Sequence, residues 1–239
     1  MGFADSSPRE ENKPYRMTIS LNVLNHLGIG LYSNVPAVLS EVVANAWDAD
    51  ANVVDIKIRR EQGEITIYDD GQGMDLDDIN NRYLTVGYRK RDEITGLTPG
   101  KRRPMGRKGI GKLSVFSIAD TVEVYSAKGS QRHAFRMNSE EIQEQIKRSG
   151  NDTYEPLSLE ADSVDFDRGT RIILKDLKKG FRRTEEFSRV NVSKVVGLVS
   201  LLSRERPSRV LILCPGFSIH KSIRHLSNRP QHGYDFAPS

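Results

Sequence analysis

The run Glu41-Val-Val-Ala-Asn45-Ala-Trp47-Asp48-Ala-Asp50 constrains the chain more than any other. Its carboxylate, amide and carboxylate at Glu41, Asn45 and Asp48 fall at i, i+4 and i+7, so a helix stacks them on one face. Val42, Val43, Ala46 and Trp47 fill the flanks. Asn and Asp are poor residues for a helix interior, because their side chains compete for backbone groups. A polar stripe in an otherwise apolar helix is easier to explain if it faces a metal ion and a water molecule. The set therefore reads as an acid/base and metal-binding face.

Two glycine clusters extend this reading. Residues 64–69 alternate as a strand that ends in Asp69-Asp70-Gly71-Gln72-Gly73-Met74. Gly-x-Gly after a strand lets the backbone turn tightly and approach a ligand closely. Further on, Gly106-Arg107-Lys108-Gly109-Ile110-Gly111-Lys112 runs into the apolar, helix-like stretch 113–119. A glycine loop that opens a helix offers free amides and the positive helix end to an anion, which makes a phosphate cradle. The spacing is not that of the P-loop, G-x-x-x-x-G-K-[ST]. Nor does it follow a first strand–helix unit, as a dinucleotide-binding fingerprint does.

Taken in order with Gly169-Thr170, which opens a strand over 171–176, these pieces resemble the GHKL ATPase superfamily (gyrase B subunit, HtpG-type chaperone, histidine kinase, MutL). The likeness covers residues 18–176, and the wording Glu-x-x-x-Asn-Ala-Trp-Asp-Ala-Asp-Ala looks closest to the bacterial and MORC-like branch. The resemblance implies an α/β two-layer Bergerat-fold sandwich, a mixed sheet with helices on one face. It implies ATP and Mg²⁺ as ligands and slow hydrolysis of ATP to ADP and phosphate. It also implies a nucleotide-driven switch in which two copies pair. Glu41 would polarise the attacking water as general base, Asn45 would give a neutral oxygen to Mg²⁺, and Asp48 would face nucleotide or ordered water. Asp69 would accept from the adenine amino group, with Gly71 and Gly73 admitting the base, Met74 beside it, and Thr170 bonded to the same carboxylate–water cluster. Arg107, Lys108, Gly109, Ile110, Gly111 and Lys112 would surround the phosphates, although Lys108 and Lys112 also fit a solvated surface.

The net charge of +4 becomes informative when divided. From Arg82 to Lys112 ten Lys/Arg face two acids, leaving the remaining residues with 26 basic and 30 acidic groups. The resemblance makes this basic segment a lid over nucleotide, and its turn-rich stretch 95–100 fits a mobile loop. A second reading takes the same segment as a surface for DNA or another acidic partner. A third keeps nucleotide binding without turnover; the presence of Glu41 argues against it. Relatives often take a γ-phosphate-sensing Lys or Arg from a following domain that is absent from this sequence, and Tyr88 stands where they often carry a small hydroxyl residue.

No apolar run reaches the roughly 18 residues of a membrane span, and a single cysteine, Cys214, fits a reducing cytoplasm, or a nucleus in a eukaryote. The expected organisation is a flexible arm over 1–16, the ATP-binding domain over 17–215 and a polar tail over 216–239. Helices are expected over 18–27, 35–47 and 184–202, and strands over 53–59, 64–68, 121–127, 133–137, 170–174 and 210–213. Asp75 is expected to cap a helix. Trp47 reads as core packing, Asp50 as a solvated acid at a helix end, and Asp70 as either a turn residue or a ligand contact. The five histidines lack metal spacing.

Overall fold

Isoleucine and valine at every second position dictate the sheet. The structure, a computed structural model, describes residues 15–18, 35–59, 61–85, 97–102, 104, 111–149, 153–178, 209–214 and 217–222. In chain order the strands are β1 (Met17–Thr18), β2 (Val53–Arg59), β3 (Glu64–Asp69), β4 (Ala119–Lys128), β5 (Gln131–Asn138), β6 (Thr153–Tyr154), β7 (Leu157–Ser158), β8 (Gly169–Leu177), β9 (Arg209–Cys214) and β10 (Phe217–Ser222). Eight of them form one sheet in the order β10-β9-β2-β3-β8-β4-β5-β7. Every pairing in it is antiparallel except that of β2 with β9. Strands β1 and β6 pair separately.

The register sorts the covered face into rows, because residues directly opposite each other point to the same side. Ile58, Ile65, Leu174, Val122 and Met137 form one row, and Ile56, Ile67, Ile172, Val124 and Phe135 the next. All ten are buried. Each such side chain contributes about 1.5–3 kcal/mol when removed from water.

The helix Val35–Asp48 covers these rows with Val35, Val38, Leu39, Val42, Val43, Ala46 and Trp47 buried, the three-and-four spacing of an amphipathic helix. A second helix, Ser139–Ser149, adds Ile142 and Ile146 to the same core. Its first turn is capped by Asn138, whose Oδ1 accepts from the amides of Glu140 (2.9 Å) and Glu141 (3.2 Å). Sheet and helices make the expected α/β two-layer Bergerat sandwich.

The first helix ends in a Schellman motif: the Ala51 amide donates to the Ala46 carbonyl and the Asp50 amide to that of Trp47, both at 3.0 Å. Asp50 occupies the left-handed position at φ 58°. Glycine is the usual occupant there, and another residue costs about 1–2 kcal/mol, least for Asn and Asp. Asp75 caps the next turn as expected: its Oδ1 accepts from the Asp78 amide at 2.8 Å, and Lys128 bridges both carboxylates.

Three expectations change. Thr18 lies in β1 rather than in a helix, while the remainder of 18–27 and all of 184–202 fall outside the described residues. Tyr15 is buried and Arg16 donates its amide to Asn80 Oδ1 (2.9 Å), so the end of the supposed arm joins the packed body. The reason is aromatic: Tyr15 stacks on Phe135 at 4.8 Å and hydrogen-bonds the His133 Nδ1 at 3.2 Å. Finally, residues 217–222, expected in a loose tail, form β10 against β9.

Candidate functional site

The third row of the covered face breaks the pattern. Val54, Asp69, Thr170, Ser126 and His133 stand opposite one another where the first two rows are wholly apolar. Strand alternation puts Asp69 on the same side as Ile65 and Ile67, and it is only 8% exposed. A carboxylate is forced into the end of a hydrophobic layer. Desolvation pushes its pKa up to about 7, and the charge of Asp70 adds to that. The amides of Gly71 and Thr170 pull the other way by donating to it.

The turn after β3 is built around that carboxylate. The Gly71 amide donates to Asp69 Oδ1 at 2.9 Å, and a Cβ on Gly71 would lie 2.7 Å from the same oxygen. Gly73 has φ 68°, and a Cβ there would meet the Ala127 carbonyl oxygen at 2.0 Å. The Met74 amide then donates to Ser126 Oγ at 2.7 Å, and the Met74 side chain packs half-buried on the core. Asp70 is a turn residue: its Oδ1 accepts from the amides of Asn52 (2.7 Å) and Val53 (2.8 Å). Ser126, fully buried in the polar row, escaped the sequence reading. The only sign of it was a serine at an inward position of an alternating strand.

Glu41, Asn45 and Asp48 share one half-buried stripe of the first helix, between the buried Val42/Val43 and Ala46/Trp47 pairs. That helix packs against the 3-10 helix Gly111–Ser117, which takes the place of the expected helix over 113–119. Of the phosphate-cradle residues, Arg107, Lys108, Gly109 and Ile110 lie outside the described residues. Lys112, expected at phosphate, donates to the carbonyl oxygens of Arg82 (2.5 Å) and Thr85 (2.6 Å). These bonds tie the start of the 3-10 helix to residues 82–85.

Asp50 and the turn-rich stretch also differ from expectation. Asp50 is not a solvated acid, with its side chain only 10% exposed. Thr98 and Gly100, from the stretch 95–100 expected in a mobile loop, are docked on it, and Arg102 is buried with its guanidinium over Trp47 at 4.7 Å. Trp47 packs in the core, as expected.

Residues 32–170, more than half of the chain, match the family described as "Histidine kinase-, DNA gyrase B-, and HSP90-like ATPase". The chain belongs to this family. Its third-row Asp69 thus sits in a domain type whose shared ligand is ATP. Among relatives of this ATPase domain is the Herpetosiphon aurantiacus protein named "Putative type II restriction enzyme HgiDII", 41% identical over 180 residues, which are 75% of this chain and 29% of the relative. The HtpG chaperone of Rickettsia canadensis is 26% identical over 192 residues, covering 71% of this chain and 29% of its own length. The HtpG chaperone of Mesorhizobium japonicum is 27% identical over 187 residues, with coverages of 69% and 28%. The chain thus spans less than a third of each relative. Among its described residues no helix is long and apolar enough to cross a membrane.

The buried Asp69 has a testable pH signature. Its folded pKa lies above the ordinary 3.8, so between about pH 4 and 7 the native state holds a proton that the unfolded chain has lost. The contribution of this group to stability is full below pH 4 and is lost as pH rises through 7. In urea unfolding, wild type minus Asp69→Asn should therefore decline from pH 4 to 7 and level off above. A flat difference would contradict the burial of this carboxyl.

Proposed function

We propose that the chain binds Mg²⁺-ATP between the first helix and the polar end row, hydrolyses it slowly, and uses the change to pair with a second copy. The observation that carries this reading is the polar row itself: a buried acceptor, Asp69, ends an apolar layer that is covered by the helix carrying Glu41, Asn45 and Asp48. An ionised carboxylate accepts only, which suits the adenine amino group. The Gly71 and Thr170 amides already donate to this carboxylate, and the amino group of the base would join them as a further donor, with Gly73 and Met74 shaping the surroundings.

Glu41 is the group to take a proton from the attacking water. Its place on the stripe sets it one turn from Asn45 and two from Asp48. Among the described residues no three His, Cys, Asp or Glu side chains gather as a metal cage. A single neutral oxygen from Asn45 nevertheless fits Mg²⁺, which keeps several waters and takes phosphate oxygens rather than a full protein cage. When bound, the ion supplies charge neutralisation on the phosphates. Arg107, Lys108, Gly109, Ile110 and Gly111 follow the family's phosphate loop in sequence and would donate to the same oxygens. Lys112 would have to leave the Arg82 and Thr85 carbonyls to join them.

The test is calorimetry with ATP and Mg²⁺, with light scattering on the same samples. Binding at micromolar to millimolar ATP, with mass doubling on a non-hydrolysable analogue and reverting with ADP, is expected. No heat at millimolar nucleotide would sink the reading; binding without a change of mass would remove the pairing.

A second reading has its own support, in the relative named as a restriction enzyme and in the basic stretch from Arg82 to Lys112. In it the domain works on DNA, with the cations on phosphates. Salt-dependent duplex binding that ignores ATP would favour it.

A further inference from the structure

Asp50 gathers four groups that are distant in sequence. Its carboxylate accepts from the Thr98 hydroxyl at 2.5 Å, the Gly100 amide at 2.8 Å and Gln72 Nε2 at 2.9 Å, and Arg102 Nε stands 3.8 Å away. Gly100 is shaped to it: a Cβ there would lie 2.4 Å from Asp50 Oδ1. Arg102 closes the junction by donating to the Ala51 carbonyl (2.6 Å) and to Asn52 Oδ1 (2.9 Å). The turn is also closed on itself, with the Thr98 amide on the Arg102 carbonyl (2.8 Å) and the Arg102 amide on Thr98 Oγ1 (2.9 Å).

Gln72 gives this junction its meaning. It lies between Gly71, whose amide holds Asp69, and Gly73, and its own amide donates to the Ala49 carbonyl at 2.9 Å. One carboxylate therefore receives the side chain of the loop that shapes the base pocket and the backbone of the 98–102 turn. We infer that Asp50 is a positioning residue that couples base recognition to that turn, so that a bound adenine restrains residues 98–102 through Gln72. The inference rests on the nucleotide-binding reading of the pocket. A contiguous set of contacts supports it, Asp69 to Gly71, along the backbone to Gln72, and from Gln72 through Asp50 to Thr98 and Gly100, and the coupling itself is what hydrogen exchange must show. The left-handed backbone at Asp50 adds to it, since a non-glycine residue in that conformation persists where surrounding contacts hold it.

Two variants of the full chain separate coupling from folding. Gln72→Met removes the donor to Asp50 and leaves the Gln72 backbone bond. Asp50→Asn keeps a side chain that tolerates the left-handed position but replaces one acceptor oxygen with a donor. Adenosine is the probe, because it carries the base without phosphate. Its affinity is read by calorimetry, and hydrogen exchange is followed at the amides of Thr98, Gly100 and Arg102.

In the wild type, adenosine should slow exchange at these amides by about tenfold, within the usual 5–150-fold range of coupling between sites. In Gln72→Met the slowing should vanish and affinity should fall by a similar factor, since coupling is reciprocal. Asp50→Asn should do the same and also raise exchange at Gly100 without ligand. Wild-type affinity together with wild-type slowing in Gln72→Met would overturn the inference. Failure of the wild type to bind adenosine, ADP or ATP would instead sink the nucleotide reading, and the coupling with it.

Discussion

Glu41→Ala should leave ATP affinity within about twofold of wild type and lower phosphate release by ~10²-fold or more, the usual scale for loss of a general base. The separation follows from position. Glu41 sits on a helix whose packing is carried by other residues, among them Val38, Val42 and Trp47, so truncating it removes a half-buried carboxylate and leaves the core intact. In the proposed site, substrate would still meet Asn45 one turn along and Asp69 at the sheet end. Phosphate release measured under saturating ATP, beside calorimetric binding, reads both quantities. Undiminished release would take Glu41 out of the mechanism. Equal losses in affinity and rate would make it a binding group.

Asp69→Asn should act the other way, weakening adenine nucleotides by roughly 1–3 kcal/mol, or about 5–150-fold. The Gly71 amide already takes one carboxylate oxygen. An asparagine keeps one acceptor, so either that amide or the adenine amino group would face an NH₂ instead of an oxygen. The fold itself should not suffer above pH 7, because the substitution also removes a buried charge that desolvation disfavours. Lost affinity with undiminished stability is the combined result to look for. Unchanged affinity would place the adenine contact elsewhere.

Most of the sheet was legible because its period of two is written in Val, Ile and Leu, and the first helix because its apolar positions recur at three and four. Asp69 was legible as the polar end of an apolar alternation, followed by glycines. What surrounds it was not. Ser126 joins the site only through the register of β4 on β8, and no local pattern reveals which serine of a strand will stand opposite Thr170. Asp50 was misread for a similar reason. In sequence it resembles any acid closing a helix, while its partners Thr98 and Gly100 lie 48 and 50 residues away. Residues 95–100 looked mobile because Thr, Pro and Gly favour turns, yet turn propensity does not show whether a turn is anchored, as Thr98 and Gly100 are on Asp50. Tyr15 was hidden by the charged residues before it.

The parallel pairing of β2 with β9 bears on how this domain is handled as a separate piece. Residues 53–57 of β2 are matched to residues 209–213 across some 150 positions of chain, and β10 in turn shields the far side of β9. A version trimmed after Leu177, where the family match and β8 both have ended, would leave the main-chain donors and acceptors of a central strand open to any extended segment that came by. Such an open flank templates further strands, and tangled oligomers rather than a tidy fragment are its ordinary product.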